Sequence, residues 1–169
     1  NSGPRRMIQA ELTAALQGSS GGLRAVISVP EGAAVAQKTF NPRLGIVGGI
    51  SILGSTGIVR PMSRQALVDT TRAELSVRRA EGVTDLLLTP GNYGDAFARE
   101  TLGLDMSKAV QCSNYIGEAL DDAVRLGFTS VLLIGHLGKL TKLAAGITDT
   151  HSRTADGRRE VFVTHAALQ

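Results

Sequence analysis

Small, hydroxyl, amide and basic side chains follow four predicted strands, at the points where parallel sheets commonly bind ligands. The first two of these loops are residues 50–57 and 90–94. The other two are residues 113–115 and 135–139. Open parallel sheets bind ligands beyond the carboxyl ends of their strands, so the four loops predict a small-molecule site along one sheet edge.

The glycines and asparagines in these loops each allow two interpretations. Gly54 and Gly57 can expose backbone N–H groups to an anion or a carboxylate, or they can simply permit tight turns and close packing. Asn92 and Asn114 stand where helices are predicted to begin, so each is either a ligand contact or a helix cap. Neither G-x-G-x-x-G nor G-x-x-x-x-G-K-[ST] occurs, so no nucleotide fingerprint applies.

Histidine and lysine supply the candidate groups for proton transfer and charge recognition. His136 and His151 can act as general base, hydrogen-bond donor or metal ligand, or as structural residues. Lys139 lies near a predicted helix start, where a cation opposes the helix dipole, and this favours a ligand role. The polar segment 150–158 is either part of the same site or a solvated loop.

Several classes of site and function are disfavoured. No Cys/His cluster has the spacing of a zinc site, so no protein-held metal is expected. No G-x-S-x-G elbow is present, which disfavours a hydrolase. The net charge is only +3, and the two Tyr and four Phe do not cluster with basic residues, so nucleic acid is not an expected partner.

The cysteine count and the apolar pattern restrict the compartment. Cys112 is the only cysteine and cannot form an intramolecular disulfide, which favours a reducing compartment such as the cytoplasm. It ends a predicted strand, so an inert core position is expected. The longest run without a charged residue, 44–59, has 16 residues, whereas a membrane helix needs ~20 apolar ones.

Short apolar runs alternate with longer amphipathic runs along the chain. The predicted strands are 23–29, 44–49, 84–89, 109–112 and 130–134. The predicted helices are 5–16, 33–37, 64–80 with Ser63 as N-cap, 92–102, 116–126, a helix that ends at Leu143, and 158–168. For 158–168, Val161 and Val163 favour a strand, whereas Ala166 and Ala167 favour the helix that we predict.

This order of elements predicts a fold of the α/β class. Strands that alternate with helices form βαβ crossovers, and these give a mostly parallel sheet. With 43% apolar residues and no change of composition along 169 residues, the chain is predicted to form a single domain, 1–169. The predicted architecture is a three-layer α/β/α arrangement.

Five long segments resemble a known family. They are 48–63, 88–94, 113–117, 135–140 and 150–158, and the segment 4–8 fits as well. Together they are similar to the cobalt-precorrin-5B C(1)-methyltransferases, the CbiD family of anaerobic cobalamin synthesis. Family members are about twice this length, so the resemblance implies a piece of a two-domain enzyme that lacks its N-terminal domain.

The resemblance implies an activity and its cofactor. The family transfers a methyl group from S-adenosylmethionine to a ring carbon of a cobalt-containing corrin precursor, and a two-carbon fragment is also lost. Such a transfer mainly requires that two bound molecules be oriented, so no nucleophilic residue is needed. Cobalt arrives inside the substrate, and no protein-bound metal is implied.

The resemblance also implies roles for the loop residues. His136 and His151 are the candidates for acid–base catalysis. The residues expected at the cofactor are Gly54, Ser55, Thr56, Gly57, Gly91, Asn92 and Tyr93. The residues expected at the carboxylate-rich macrocycle are Ser113, Asn114, Lys139, Ser152 and Arg153.

Two other functions remain open at this point. The chain can be a non-catalytic module that holds the cofactor or the corrinoid while the missing domain supplies the chemistry. Judged without the family, it can be a general α/β nucleotide-binding enzyme, against which the absent fingerprints count. A small-molecule corrin precursor is the expected partner, with no membrane partner and with a homo-oligomer left open.

Overall fold

The computed structural model describes residues 2–52 and 63–169. The regular elements in these residues are helices and one small parallel sheet. The α/β class predicted from the sequence is confirmed. The chain divides into two compact units, Asn1–Pro61 and Met62–Gln169, and the sheet lies entirely in the second. The assignment of 1–169 to a single domain stays a prediction.

The first unit contains helices and no described strand. Helix α1 spans Ser2–Leu16 and helix α2 spans Gly32–Ala36, close to the predicted ranges. A single turn of 3₁₀ helix follows at Pro42–Leu44. The strands predicted at 23–29 and 44–49 are therefore wrong, because neither range forms a strand in the structure.

Both incorrect strands have a physical explanation. Residues 21–29 lie outside any helix or strand, and Val26 is 75% exposed, so this apolar run has no described neighbour to complete a ladder. In the second range, Pro42 begins the 3₁₀ turn, and Gly45 and Gly48 adopt φ values of +72° and +79°. Strands need negative φ, so these two glycines turn the chain instead of extending it.

Helix α3 (Arg64–Ala80) begins and ends at the predicted signals. The Oγ of Ser63 accepts a hydrogen bond from the backbone N–H of Ala66 at 3.2 Å, which caps the first turn. Gly82 follows the last turn with φ +85°, and its N–H donates to the carbonyl oxygen of Arg79. The helix buries Leu75 completely.

Three parallel strands form the sheet in the order β2-β1-β3. They are β1 (Asp85–Thr89), β2 (Val110–Gln111) and β3 (Ser130–Leu133). Helix α4 (Asn92–Glu100) connects β1 to β2, and helix α5 (Ile116–Arg125) connects β2 to β3. The parallel sheet is confirmed at three of the predicted positions.

Helices cover both faces of the central strand. Leu86 and Leu88 pack in one buried cluster with Leu75 of α3 and with the buried side of α5. Leu87 packs in a second cluster with Ala98 of α4. Successive side chains of a strand point to opposite faces, so α3 and α5 cover one face and α4 covers the other, as the three-layer prediction requires.

Two further helices follow the sheet. Helix α6 (Leu137–Ala144) comes directly after β3, and helix α7 (Arg158–Ala167) comes after a loop and contacts α6. The choice of helix for 158–168 is confirmed. A helix therefore forms there despite its two valines, whose branched side chains weaken helix propensity only slightly.

Cys112 is expected to be unreactive in the folded protein. Its side chain is fully buried, and this burial raises the pKa of the thiol to about 12. Since the thiolate is the reactive species, DTNB at about pH 8 should label one thiol only after unfolding in urea. Absorbance of the released dye measures this. Rapid labelling of one thiol without urea would contradict the buried position.

Candidate functional site

The loops that follow the three strands meet at one edge of the sheet. All three strands are parallel, so their carboxyl ends lie on the same side. The Oδ1 of Asn92 accepts a hydrogen bond from the Nε2 of Gln111 at 3.4 Å, which links the first two loops. The rings of Tyr93 and His136 meet edge to face with 6.0 Å between centroids, which links the first loop to the third.

Most of the predicted loop 50–57, including its four candidate residues, lies outside the part of the chain that the structure describes. Gly54, Ser55, Thr56 and Gly57 all fall within residues 53–62, for which no structure is described. Their assignment to the cofactor therefore stays a prediction. The remaining candidates all lie in the second unit. They are on loops that follow its strands, in the first turns of α4 and α6, or on the loop between α6 and α7.

The first turn of α4 has no side-chain cap. Gly91 is the N-cap residue, and among the described residues no side chain accepts a hydrogen bond from the first turn. The N–H groups of Asn92 and Tyr93 thus have no acceptor inside the helix or from a described capping side chain. Both side chains are exposed, Tyr93 by 81%. This turn combines backbone donors with the positive end of the helix dipole, an arrangement that suits a carboxylate.

Close packing explains the other glycine of this turn. A Cβ at Gly94 would lie 2.2 Å from the carbonyl oxygen of Ile134, at the end of β3. A Cβ at Gly135 would lie 3.1 Å from the ring of Pro90. These two glycines therefore let the loops after β1 and β3 approach each other closely.

Asn114 joins the loop after β2 to the loop between α6 and α7. Its carbonyl oxygen accepts a hydrogen bond from the N–H of Thr150 at 2.9 Å, and Tyr115 forms an antiparallel bridge with Asp149. Ser113, just before, has φ +56°, a left-handed conformation that is uncommon for serine. The N-caps of α4 and α5 are Gly91 and Tyr115, so neither predicted asparagine caps a helix.

His136 is the N-cap of α6. Its Nδ1 accepts a hydrogen bond from the N–H of Gly138 at 3.1 Å. An imidazole that accepts through Nδ1 carries its proton on Nε2 when it is neutral. The ring is exposed and stands beside Tyr93. In this conformation the neutral side chain of His136 presents an N–H donor.

His151 repeats this arrangement at the tip of the loop between α6 and α7. Its Nδ1 accepts a hydrogen bond from the N–H of Arg153 at 3.1 Å, and its carbonyl oxygen accepts one from the N–H of Thr154 at 2.9 Å. His151, Ser152 and Arg153 are all exposed. The turn therefore presents a second imidazole Nε2 and a guanidinium to the solvent.

Lys139 is a half-buried cation in the first turn of α6. Burial lowers the pKa of its ammonium, the nearby Cys112 raises it, and the charge of Lys142 lowers it further. Among the residues that the structure describes, its ammonium forms no ion pair. A half-buried ammonium without an acidic neighbour suits an anionic ligand group.

The ion pair between Asp156 and Arg158 lies beside the site and was not predicted from the sequence. Arg158 donates from Nε and Nη2 to the two carboxylate oxygens of Asp156, at 2.5 and 2.8 Å. The Nη1 of Arg158 would lie 3.5 Å from a Cβ at Gly138, so the guanidinium is near the start of α6. The spacing Asp156-Gly157-Arg158 was the only sequence signal for this pair.

The carboxyl group of Asp156 is expected to titrate well below its ordinary value of 3.8. The hydrogen bond from Arg158 lowers its pKa to about 2. Its contribution to stability is thus present above the pKa of the unfolded chain, ~3.9, and is lost as the pH falls from there through about 2. NMR titration of the side-chain carboxyl measures this pKa.

A matched variant tests the cause of that shift. Arg158→Gln removes the guanidinium, so the carboxyl of Asp156 should then titrate near 3.8. A wild-type midpoint near 3.8 would mean that the pair does not form in solution.

A second cation lies near the loop after β2. Arg64, at the start of α3, pairs with Glu118 and lies 3.9 Å from a carboxylate oxygen of Asp149. Its guanidinium stacks over the ring of Tyr115 at 5.4 Å, and the hydrogen bond to Glu118 raises its pKa. These contacts hold α3 against the Asn114 loop.

Other parts of the described chain are distinct from this edge. A cavity of about 340 Å³ lies in the first unit between α1 and residues 23–27, and no predicted site residue lines it. Among residues 2–52 and 63–169, no three His, Cys, Asp or Glu side chains converge as metal ligands would. No helix of the described ranges has the length and apolar composition needed to cross a bilayer.

Curated proteins similar to this chain share one name. Residues 1–61 match the family model described as CbiD. A cobalt-precorrin-5B C(1)-methyltransferase from Ruminiclostridium cellulolyticum is 54% identical over 98% of this chain and 44% of its own length. A relative of the same name from Salmonella typhimurium is 49% identical over 99% of this chain and 44% of its own length.

One solved structure is similar as well. It is the crystal structure of a cobalamin biosynthesis protein (CbiD) from Archaeoglobus fulgidus, 31% identical in sequence. The match covers 79% of this chain and 42% of that chain, with a TM-score of 0.34. The chain spans less than half the length of the curated relatives it matches.

Proposed function

This chain belongs to the CbiD family, and we propose on that basis that it takes part in the methylation of cobalt-precorrin-5B at C1 in cobalamin biosynthesis. The observation that carries the proposal is the identity of 54% along 98% of the chain with a relative of that name. The chain spans 44% of that relative, so the proposal assigns to it the part of the activity that its own residues can perform.

S-adenosylmethionine is the proposed cofactor, and it supplies a methyl group on a sulfonium sulfur for in-line displacement. The residues that fit it are Gly91, Asn92 and Tyr93. The first turn of α4 lacks a side-chain cap, and in residues 2–52 and 63–169 no atom beyond the chain neighbours of Gly91 stands within 4 Å of where its Cβ would lie. Backbone N–H donors in an open, neutral turn suit the carboxylate of an amino-acid moiety. Gly54, Ser55, Thr56 and Gly57 are proposed as cofactor residues from the resemblance alone.

The basic residues of the edge are proposed to bind the corrin precursor. The resemblance implies a macrocycle with many acetate and propionate groups. Lys139 and Arg153 form no ion pair among the described residues, so each can bind a carboxylate. Ser152 lies on the same loop as Arg153, and the N–H of Thr150 ties that loop to Asn114. Ser113, Asn114 and Ser152 are proposed to offer hydroxyl and amide groups to the same ligand.

The two histidines, His136 and His151, are proposed to act on the substrate through their Nε2 atoms. In both rings Nδ1 accepts a backbone hydrogen bond, so the neutral rings carry the proton on Nε2. Such a group can donate a hydrogen bond to an oxygen of the substrate. This geometry supports hydrogen-bond donation, whereas acid–base catalysis by the two residues is proposed from the resemblance alone.

The proposed site contains no resident metal, since cobalt belongs to the substrate. The proposed compartment is the cytoplasm, where the lone thiol of Cys112 would stay reduced.

A second candidate function is a binding module without catalysis of its own. The match covers 44% of the length of these relatives, so residues outside the matched part can contribute to the site of a relative. In this role the chain would hold the cofactor or the corrinoid, and residues elsewhere would complete the site.

Isothermal titration calorimetry of the chain distinguishes these functions. The ligands are S-adenosylhomocysteine, a cobalt corrin polycarboxylate such as cobyrinic acid, and ATP as a control. Binding of both non-nucleotide ligands supports the methyltransferase site, and binding of only one supports the module. Binding of ATP alone would overturn both proposals and favour a nucleotide-binding enzyme.

A further inference from the structure

A buried lysine ties together the two ends of the loop that carries His151 and Arg153. Lys142 lies in the last turn of α6, and it is only 3% exposed. Its Nζ donates hydrogen bonds to the carbonyl oxygens of Thr150 at 3.2 Å and Ala155 at 2.8 Å. These two carbonyls flank residues 151–154, so a single ammonium holds both sides of the exposed turn.

The burial of this charge needs an explanation. An ammonium removed from water loses hydration energy, and in the described residues its hydrogen-bond partners are two neutral carbonyl oxygens. An apolar side chain of similar length would avoid this cost. The charged ammonium therefore contributes the two hydrogen bonds, and these bonds fix the distance between Thr150 and Ala155.

Other contacts fix the ends of the loop, whereas the described hydrogen bonds at its tip join residues of the loop to one another. The N–H of Thr150 donates to the carbonyl oxygen of Asn114 at 2.9 Å. Gly157, with φ +65°, packs its backbone against the turn after α6, where a Cβ would lie 3.0 Å from Ile147 Cδ1. Between these two contacts, the side chain of Lys142 donates hydrogen bonds to both sides of the turn.

We propose that Lys142 is a positioning residue, which sets the place of His151 and Arg153 without contacting the substrate itself. The role of His151 and Arg153 in binding rests on the proposed function. The effect of Lys142 on the geometry of the loop does not rest on it, so the loop geometry and the binding role can be tested separately.

Limited trypsin digestion tests the loop geometry. Cleavage after Arg153 is measured against cleavage after Arg99, which is also exposed and lies in the same unit. In Lys142→Met the ratio of the two rates should rise about 10-fold, because opening of the turn then costs two fewer charge-assisted hydrogen bonds. Lys108→Met, which removes an exposed lysine, should leave the ratio unchanged.

A second variant keeps the test decisive where Lys142→Met unfolds the unit. Lys142→Ala leaves space for a small cation, and added propylammonium should lower its Arg153-to-Arg99 ratio toward the wild-type value. Tetramethylammonium, which has no N–H donor, should not do so. Wild-type ratios in both variants without any added amine would overturn the proposal.

Binding of cobyrinic acid tests the positioning role. Lys142→Met should weaken it about 10-fold, and the double variant with Arg153→Ala should lose little more than Arg153→Ala alone, because both changes act on one contact. Fully additive losses would overturn the positioning role. Absence of corrinoid binding in the wild type, with the digestion result intact, would instead refute the proposed function and leave the loop tie standing.

Discussion

Replacing Gly94 by alanine is expected to destabilise the second unit by about 3 kcal/mol, at the upper end of the range for overpacked sites. The new Cβ would lie 2.2 Å from the carbonyl oxygen of Ile134 and 3.0 Å from its carbon. The neighbouring group is backbone, and the N–H of Ile134 is bonded to the carbonyl of Leu88 at 2.9 Å. The clash can therefore be relieved only by moving α4 or the end of β3. Urea unfolding followed by circular dichroism gives the free energy.

Gly91→Ala is the matched control for that substitution. No atom of the described chain beyond its sequence neighbours lies within 4 Å of its Cβ position, and its φ of 165° is extended backbone that alanine adopts freely. The expected change in the free energy of unfolding is within about 0.5 kcal/mol. Equal losses from the two substitutions would show that α4 does not approach β3 closely in solution.

The sheet was predictable because its strands carry their own signal. Residues 84–89 include three consecutive leucines, and a run that is apolar on both faces needs cover on both sides. Turn glycines such as Gly82 and Gly127, both with positive φ, then mark the helix ends. The ranges 23–29 and 44–49 have similar composition but no described partner strand, and pairing is a property of the fold that a local pattern does not contain.

The candidate edge was predictable in outline for the same reason. Parallel strands bring their carboxyl ends together, so Asn92, Asn114 and His136 follow neighbouring strands once the topology is known. The contacts that orient these residues were not predictable. Lys142 in a helix is usually a solvated side chain, and nothing in its spacing indicates that it reaches Thr150 and Ala155.

The hydrogen bonds that the Nδ1 atoms of His136 and His151 accept also depend on the folded geometry. Each accepts from an N–H two residues further along, at Gly138 and at Arg153, and this fixes which nitrogen carries the proton. The sequence places a histidine two residues before a suitable donor but does not show that the turn forms. The position of the proton on Nε2 of the neutral ring therefore follows from the structure, whereas the proposed acid–base class follows from residue type and resemblance.

Arg153→Ala is expected to weaken binding of a cobalt corrin polycarboxylate by ~1.5–3 kcal/mol, the range for hydrogen bonds to charged groups. Arg153 is exposed, and its backbone N–H is held by the Nδ1 of His151, so the turn presents the guanidinium without an acidic partner among the described residues. Binding of S-adenosylhomocysteine should change little. Calorimetric titration with each ligand separately measures both effects.

Arg159→Ala provides the control, because it removes the same charge from an exposed position on α7. It should leave corrinoid binding within experimental error of the wild type once salt is near 0.15 M, where charges beyond about 8 Å are screened. The wild-type affinity should fall as salt rises, and the Arg153 variant should respond less because it has lost one charged contact.

If Arg153→Ala abolishes cofactor binding and spares the corrinoid, the two ligands occupy the opposite loops. If it changes neither affinity, Arg153 belongs to a solvated loop.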